Sequence, residues 1–268
     1  MAGIQSTLKK TIRSLLQSPP VQRVLYTPAV KRSLDHRPFT RKLYNVWDRG
    51  HPFDREFGVD TLGIVSAEQI TEHKHLAAQI LYYIGSQPSI VRRALATLGV
   101  VEDYTLLDFG CGKGRAAIVA SEFPFRQVIG VELSPVLAAK AQANVAIIAK
   151  KFPERPGIAI FNANVLEVAL PSGKLAIFAY NPFGAEILTG VVKRLEAALA
   201  ADTPHIFFVY VNSKHADVLD ASPAFQRFYA AEIPFDNSEL GFGADKHDVV
   251  VIWQSVRGAI PTPHVEIA

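Results

Sequence analysis

The sequence predicts an α/β fold in which a mostly parallel sheet of seven strands is wrapped by helices, closed by a terminal antiparallel hairpin and preceded by a helical extension. Three observations carry that expectation. Tyr104 to Arg115 reads Tyr-Thr-Leu-Leu-Asp-Phe-Gly-Cys-Gly-Lys-Gly-Arg, a short apolar run ahead of three alternating glycines. Arg-Ala-Ala-Ile-Val-Ala behind them suits a helix, so the glycines occupy a strand-to-helix turn. Gln127 to Leu133 is a second apolar strand, with Glu132 near its end and 24 residues after Asp108. Both carboxylates then stand at the carboxyl ends of adjacent parallel strands, where such sheets place their ligands. Finally, Phe225 to Pro234 and Asp248 to Ser255 are strands with only a loop between them, so they pair as a hairpin instead of continuing the alternation.

The 268 residues suit one α/β unit carrying an extension, and a hydrophobic content of 49% can fill its core. Cys111 is the sole cysteine, which excludes an intramolecular disulfide and fits a reducing compartment. No apolar stretch approaches the ~20 residues that cross a bilayer, so a soluble, cytoplasmic protein is expected. The formal net charge of +3 is unevenly placed, because residues 1–50 hold ten Lys or Arg against Asp35 and Asp48 while the remainder is net acidic.

From the beginning of the chain, Ile4, Leu8, Ile12, Leu15 and Leu16 recur at helical spacing with Lys9, Lys10 and Arg13 between them. This short basic amphipathic helix stops at Ser18-Pro-Pro20. Residues 1–34 can therefore touch an anionic membrane surface or a protein partner, serve as an organelle transit peptide, or simply cover one side of the domain. Pro38 to Gly63 is rich in turn formers and aromatics, and Tyr44, Trp47, Phe53 and Phe57 must pack on something, as a lid or a passive wrap. Residues 1–63 form the extension, 64–256 the sheet domain and 257–268 a tail. In Glu72-His-Lys-His75 the two histidines are two apart, point to different helix faces and have no matching carboxylate or cysteine set, so no metal is expected.

Tyr82-Tyr83-Ile-Gly-Ser-Gln-Pro88 introduces an amphipathic helix from Ser89 to Leu98, ended by Gly99. The glycine turn follows; Gly110, Gly112 and Gly114 let a ligand approach main-chain amides. Its spacing departs from the dinucleotide fingerprint, which needs a small residue where Arg115 stands, and from a P-loop, which needs Gly-Lys-Ser/Thr. After the second strand, Ser134-Pro135 supplies an N-cap and first-turn proline for a helix over Val136 to Lys151. Gly157 to Val165 is the third strand. Leu175 to Tyr180, the fourth, runs into Asn181-Pro-Phe-Gly184 and a helix reaching Leu199. Ile206 to Asn212 is apolar enough to be buried on both faces. The loop from Phe235 to Lys246 is long enough to overhang the sheet's edge.

With Val-Ile-Gly-Val-Glu-Leu-Ser-Pro135 behind it, the Asp-Phe-Gly-Cys-Gly-Lys-Gly-Arg stretch resembles motif I and the next strand of the class I S-adenosylmethionine (SAM)-dependent methyltransferases. The resemblance covers roughly residues 80–255 and implies a Rossmann-like seven-stranded sheet with S-adenosyl-L-methionine as cofactor. It places Asp108, Gly110, Cys111, Gly112, Gly114 and Leu133 against SAM, Glu132 beside the ribose, and Asn164 and Val165 beside the adenine, with Asn164 where the family usually has aspartate. A segment before the first strand crosses the cofactor pocket in many members, which brings in Tyr83 or Ser86.

Tyr-Asn-Pro-Phe-Gly184 resembles the Asn-Pro-Pro-Tyr/Phe signature of methyltransferases acting on nitrogen, with Phe183 in place of the second proline. Asn181 would offer its amide oxygen, Pro182 its carbonyl and Phe183 an apolar face, aiming the acceptor's lone pair at the methyl carbon. The expected reaction is methyl transfer to a nitrogen acceptor, a protein lysine or a small amine. Small-molecule O- or N-methylation, a non-catalytic module recruited to membrane, RNA or protein by the basic N-terminus, and an NAD(P)-dependent oxidoreductase are the alternatives. Nucleic acid enters as a partner if the basic extension forms one face with aromatics beside Asn181. No general base is identifiable.

Overall fold

The computed structural model describes residues 50–65, 83–242 and 245–262. The expected basic helix within residues 1–34, Tyr44, Trp47, His73 and His75 lie outside them. Helix α1 (Pro52–Phe57) leads to a two-stranded antiparallel sheet of β1 (Ile64–Val65) and β2 (Tyr83–Ile84). Helix α2 (Pro88–Ala96) precedes the main sheet. Its first unit is β3 (Tyr104–Phe109), α3 (Arg115–Ala120), β4 (Gln127–Glu132), α4 (Pro135–Lys151) and β5 (Ile158–Asn162). The second is β6 (Lys174–Tyr180), α5 (Ala185–Ala201), β7 (Ile206–Val211), the short α6 (Ala216–Asp220), β8 (Phe225–Pro234) and β9 (His247–Ser255).

The sheet order is β5-β4-β3-β6-β7-β9-β8. The first five strands are mutually parallel, and β9 inserts antiparallel between β7 and β8, as the missing helix implied. The chain runs outward from β3 to β5, then crosses back to β6 on the other side of β3. That reversal opens a crevice beyond the carboxyl ends of β3 and β6, the usual ligand position in an open α/β sheet.

Side-chain alternation splits the core in two. Phe207 and Val209 face α2 and α3 through Ile90, Leu95 and Ile118, whereas Phe208 and Tyr210 face α5 through Leu188 and Leu195. Every residue of β7 is buried, so both faces are covered. Phe53, Phe57 and Val59 belong to the first of these clusters, so the wrap expected over Pro38 to Gly63 is, from Phe53 on, part of the domain's own core.

Local chemistry sets the ends. Ser134 Oγ accepts from Leu137 N at 3.4 Å and Pro135 opens α4, while Lys150 and Lys151 sit in its last turn, favourable to the helix dipole. The third strand stops at Asn162, earlier than expected, because Asn164 Oδ1 accepts from Leu166 N at 3.0 Å and turns the chain. Helix α6 and the β1–β2 pair have no periodicity long enough to announce them.

Candidate active site

The crevice is lined by Tyr83, Asp108, Gly110, Cys111, Glu132, Leu133, Asn164 and Val165 together with Asn181, Pro182 and Phe183. The structure thus gathers these expected residues around one space. Gly112 and Gly114 do not line it.

The glycine turn is organised differently from an open amide cradle. Gly110, Gly112 and Gly114 all have positive φ, at 74°, 56° and 85°. A β-carbon on Gly110 would lie 2.5 Å from Pro182 Cβ, and one on Gly112 would lie 2.1 Å from the Tyr83 ring. These glycines therefore admit protein neighbours, and Gly110 brings the Asn181 loop down onto the turn. Their amides are spent internally. Gly110 N and Cys111 N donate to Val131 O at 2.9 and 3.1 Å, Gly112 N to Glu132 Oε2 at 2.8 Å, and Gly114 N to Cys111 O at 2.8 Å.

Charge fills the role that amides do not. Asp108 is 2% exposed and its Oδ2 has no hydrogen-bond partner. Burial pushes its carboxyl up to about 8, with the Ala117 N–H opposing and Glu132 adding repulsion. Glu132 is buried too, its oxygens accepting from Gly112 N and Ser134 N, both at 2.8 Å, and desolvation raises its pKa. No cationic side chain bonds either carboxylate among the described residues. Arg115, which also lines the crevice, is committed elsewhere: Nε donates to Thr61 Oγ1 at 2.7 Å, and Nη1 to Gly85 O and Ser86 O at 3.1 and 3.3 Å. It ties the turn to the chain on either side of the β1–β2 pair.

Asn181 is buried in a left-handed conformation, φ 40°, a costly state for a non-glycine residue though more accessible to asparagine than to most. Tyr210 Oη donates to its Oδ1 at 2.9 Å, and its Nδ2 has no partner. The expected free amide oxygen is thus engaged. Because a phenol hydroxyl both donates and accepts, Tyr210 can hold the amide turned over as well, with Nδ2 bonded and Oδ1 facing the crevice. Phe183 is buried and packs with Val165, Leu188 and Val191 while presenting to the same space.

Sequence reasoning missed part of the wall. Tyr180, Asn212, Lys214, Phe235, Phe242 and Asp245 line the crevice beyond Asn181. Asn212 shares the positive φ of Asn181, at 51°, one residue past its strand, a repeated strand-end asparagine legible in hindsight. The β8–β9 loop does overhang, and it is pinned. Glu239 accepts from Ser89 N at 2.9 Å and from the Ser89 hydroxyl, capping α2, whose own N-cap Gln87 makes no side-chain capping bond. Arg93 holds Pro234 O and Asp236. His51 receives the Phe53 N–H on Nδ1, so Nε2 donates to Gln87 Oε1 at 3.0 Å, and its ring lies 4.6 Å from that of Phe242, inclined at 54°. Among the described residues no group of three or more His, Cys, Asp or Glu could hold a metal ion, and no helix is long and apolar enough to cross a membrane.

No protein-family model matches the chain. Over 121 residues, 45% of this chain and 36% of the relative, it is 31% identical to the ribosomal protein L11 methyltransferase of Clostridium perfringens (strain SM101 / Type A). Over 64 residues, 24% of this chain and 40% of the relative, it is 34% identical to a protein-lysine N-methyltransferase of Saccharolobus islandicus (strain REY15A). The chain therefore spans well under half the length of these curated relatives. Among solved structures, the 23S rRNA methyltransferase ErmE aligns over 68% of this chain and 73% of its own, at 21% identity and a TM-score of 0.45.

Proposed function

We propose that this chain, which belongs with the class I SAM-dependent methyltransferases by its sequence relatives and its sheet order, binds SAM between β3 and β4 and methylates a nitrogen acceptor held beside Asn181. The observation that carries the reading is the buried Asp108 carboxylate near Glu132, its Oδ2 without a partner, in a crevice whose glycine-turn amides are already bonded. Such a space calls for a cationic ligand with hydroxyl donors. SAM is that ligand: it carries a sulfonium, an ammonium and a ribose diol, and supplies a methyl group that a lone pair can accept in line. A dinucleotide pyrophosphate, in contrast, needs free amides and meets two carboxylates here.

Each residue then has a stated task. Asp108 takes the ligand's cationic end. Glu132 keeps lone pairs beyond its two backbone bonds and accepts from the ribose hydroxyls. Leu133 and Val165 sandwich the adenine, Asn164 marks its edge and Tyr83 closes the near side. Asn181, locked by its backbone and by Tyr210, holds the acceptor N–H beside the Pro182 carbonyl, and Phe183 keeps water from the reacting atoms. The names of the relatives, an L11 methyltransferase and a protein-lysine methyltransferase, support a protein amine as acceptor.

Calorimetry with SAM and with NAD tests the cofactor. Saturable SAM binding with none for NAD is expected, and the reverse sinks the reading. Incubation with radiolabelled SAM and cell extract tests the acceptor, with label expected in protein; label confined to RNA or small molecules overturns that part.

A further inference from the structure

We propose that Tyr180 and Asp248 form a proton exit for a cationic amine acceptor, with Tyr180 taking the proton from the ammonium nitrogen and Asp248 receiving the tyrosine's own. The inference rests on the methyltransferase reading above and supplies what that reading lacks, a base. An alkylammonium has no lone pair to give, and its pKa of ~10.4 keeps it protonated near neutrality, so a proton must leave before attack.

The geometry points to this pair. Tyr180 is the last residue of β6, adjoins Asn181 and lines the crevice. Its Oη lies 3.4 Å from Asp248 Oδ1, near the start of β9. Asp248 is 7% exposed, and its second oxygen, Oδ2, has no partner. A carboxylate so placed is a poor structural element, since a buried polar atom without a bond costs ~1–3 kcal/mol. It is a good proton acceptor. Burial pushes its pKa up to about 7, with the Tyr180 hydroxyl pulling down and Asp245 pushing up. Other charged groups at this end of the sheet include Lys214, which also lines the crevice, Glu232 and His247, which pair with each other at 2.9 Å on β8 and β9, and the Arg93–Asp236 pair and Glu239 of the β8–β9 loop.

The balance closes without a further reactant. One N–H bond of the ammonium breaks as an O–H bond forms at Tyr180 Oη, while the original Oη–H breaks and an O–H forms on Asp248 Oδ1. A cation and a carboxylate become a neutral amine and a neutral acid, a change that a low-dielectric site favours. Tyr180 ends as it began, and the nitrogen lone pair is free beside Asn181. The phenyl walls of Phe235 and Phe242 suit the aliphatic stem of such an amine.

Two measurements test this, the first independent of SAM and of turnover. In wild-type protein, infrared difference spectra against Asp248→Asn should show a protonated-carboxyl band that disappears as pH rises through about 7, and n-butylamine, whose ammonium delivers its proton to that carboxyl, should shift the loss to higher pH. A carboxyl that is already ionised at pH 5, or one insensitive to the amine, overturns the proposal. Second, with the protein acceptor found by labelling, Asp248→Asn and Tyr180→Phe should each slow methyl transfer about a hundredfold or more at pH 7 and regain rate as pH rises toward 10, with SAM affinity unchanged. A rate loss that pH does not restore makes the pair structural. Absence of SAM binding in wild type would defeat the methyltransferase reading alone, because the infrared result stands apart from it.

Discussion

Asp108 is held where stability and binding pull in opposite directions. Its carboxyl is protonated in the folded chain up to about pH 8, but only up to ~3.9 in an unfolded one. Between those values the folded state binds more protons, so its contribution to stability is complete below the lower value and is lost as pH rises toward the upper one. Asp108→Asn removes that loss. The variant should melt at higher temperature than wild type at pH 8, with the gap closing near pH 4, while its SAM affinity falls tenfold or more by calorimetry. A variant that melts lower at pH 8 would show that the carboxylate is structural. Asn181 presents the complementary case, a strained residue steadied by one bond. Tyr210→Phe removes the hydroxyl at 2.9 Å and leaves the amide free to rotate. We expect kcat to fall by tenfold or more with the SAM dissociation constant unchanged; equal loss of both would make Tyr210 part of the cofactor wall.

At the scale of elements, the seven strands of the main sheet, the adjacency of the two with acidic ends at Asp108 and Glu132, and the terminal hairpin were legible, because apolar runs, strand-end carboxylates and a missing helix each carry a local signal. The roles of the glycines were not, because spacing gives permission for a close approach but does not say who approaches. Pro182 and Tyr83 occupy the places left for a ligand. The pinned β8–β9 loop was equally hidden, since Glu239 caps a helix 150 positions away in sequence and no local pattern records that partner. This contact couples the acceptor side of the crevice to α2, whose first turn follows the crevice residues Ser86 and Gln87. Glu239→Ala strips the cap from Ser89 and should cost ~1–3 kcal/mol in denaturant unfolding. Hydrogen exchange should rise in α2's first turn and in residues 235–242 together. Exchange that rises in only one of them would mean that the loop and helix are not coupled.

The molecule as a whole extends further toward the N-terminus than the motifs do. Asn144 donates to Asp60 O and Lys113 O, both at 2.9 Å, and accepts from Asp60 N at 3.0 Å, while Asp54 binds the Thr61 and Leu62 amides, each at 2.9 Å. Arg115 reaches Thr61 from the glycine turn, and Phe53 and Phe57 lie in the core. Residues 50–62 therefore hold the glycine turn from outside, although nothing in their sequence resembles a motif. Two truncations separate this segment from what precedes it. Removal of residues 1–34 should leave SAM affinity unchanged, because every site residue lies beyond them. Removal of residues 1–62 deletes two buried phenylalanines, each worth ~3–5 kcal/mol on truncation to alanine, and strands the buried Arg115 cation without Thr61. That chain should lose the cooperative thermal transition, and Phe57→Ala alone should lower the melting temperature by several degrees. If the shorter chain melts cooperatively and binds SAM as wild type does, the segment is a wrap after all and the turn stands on its own.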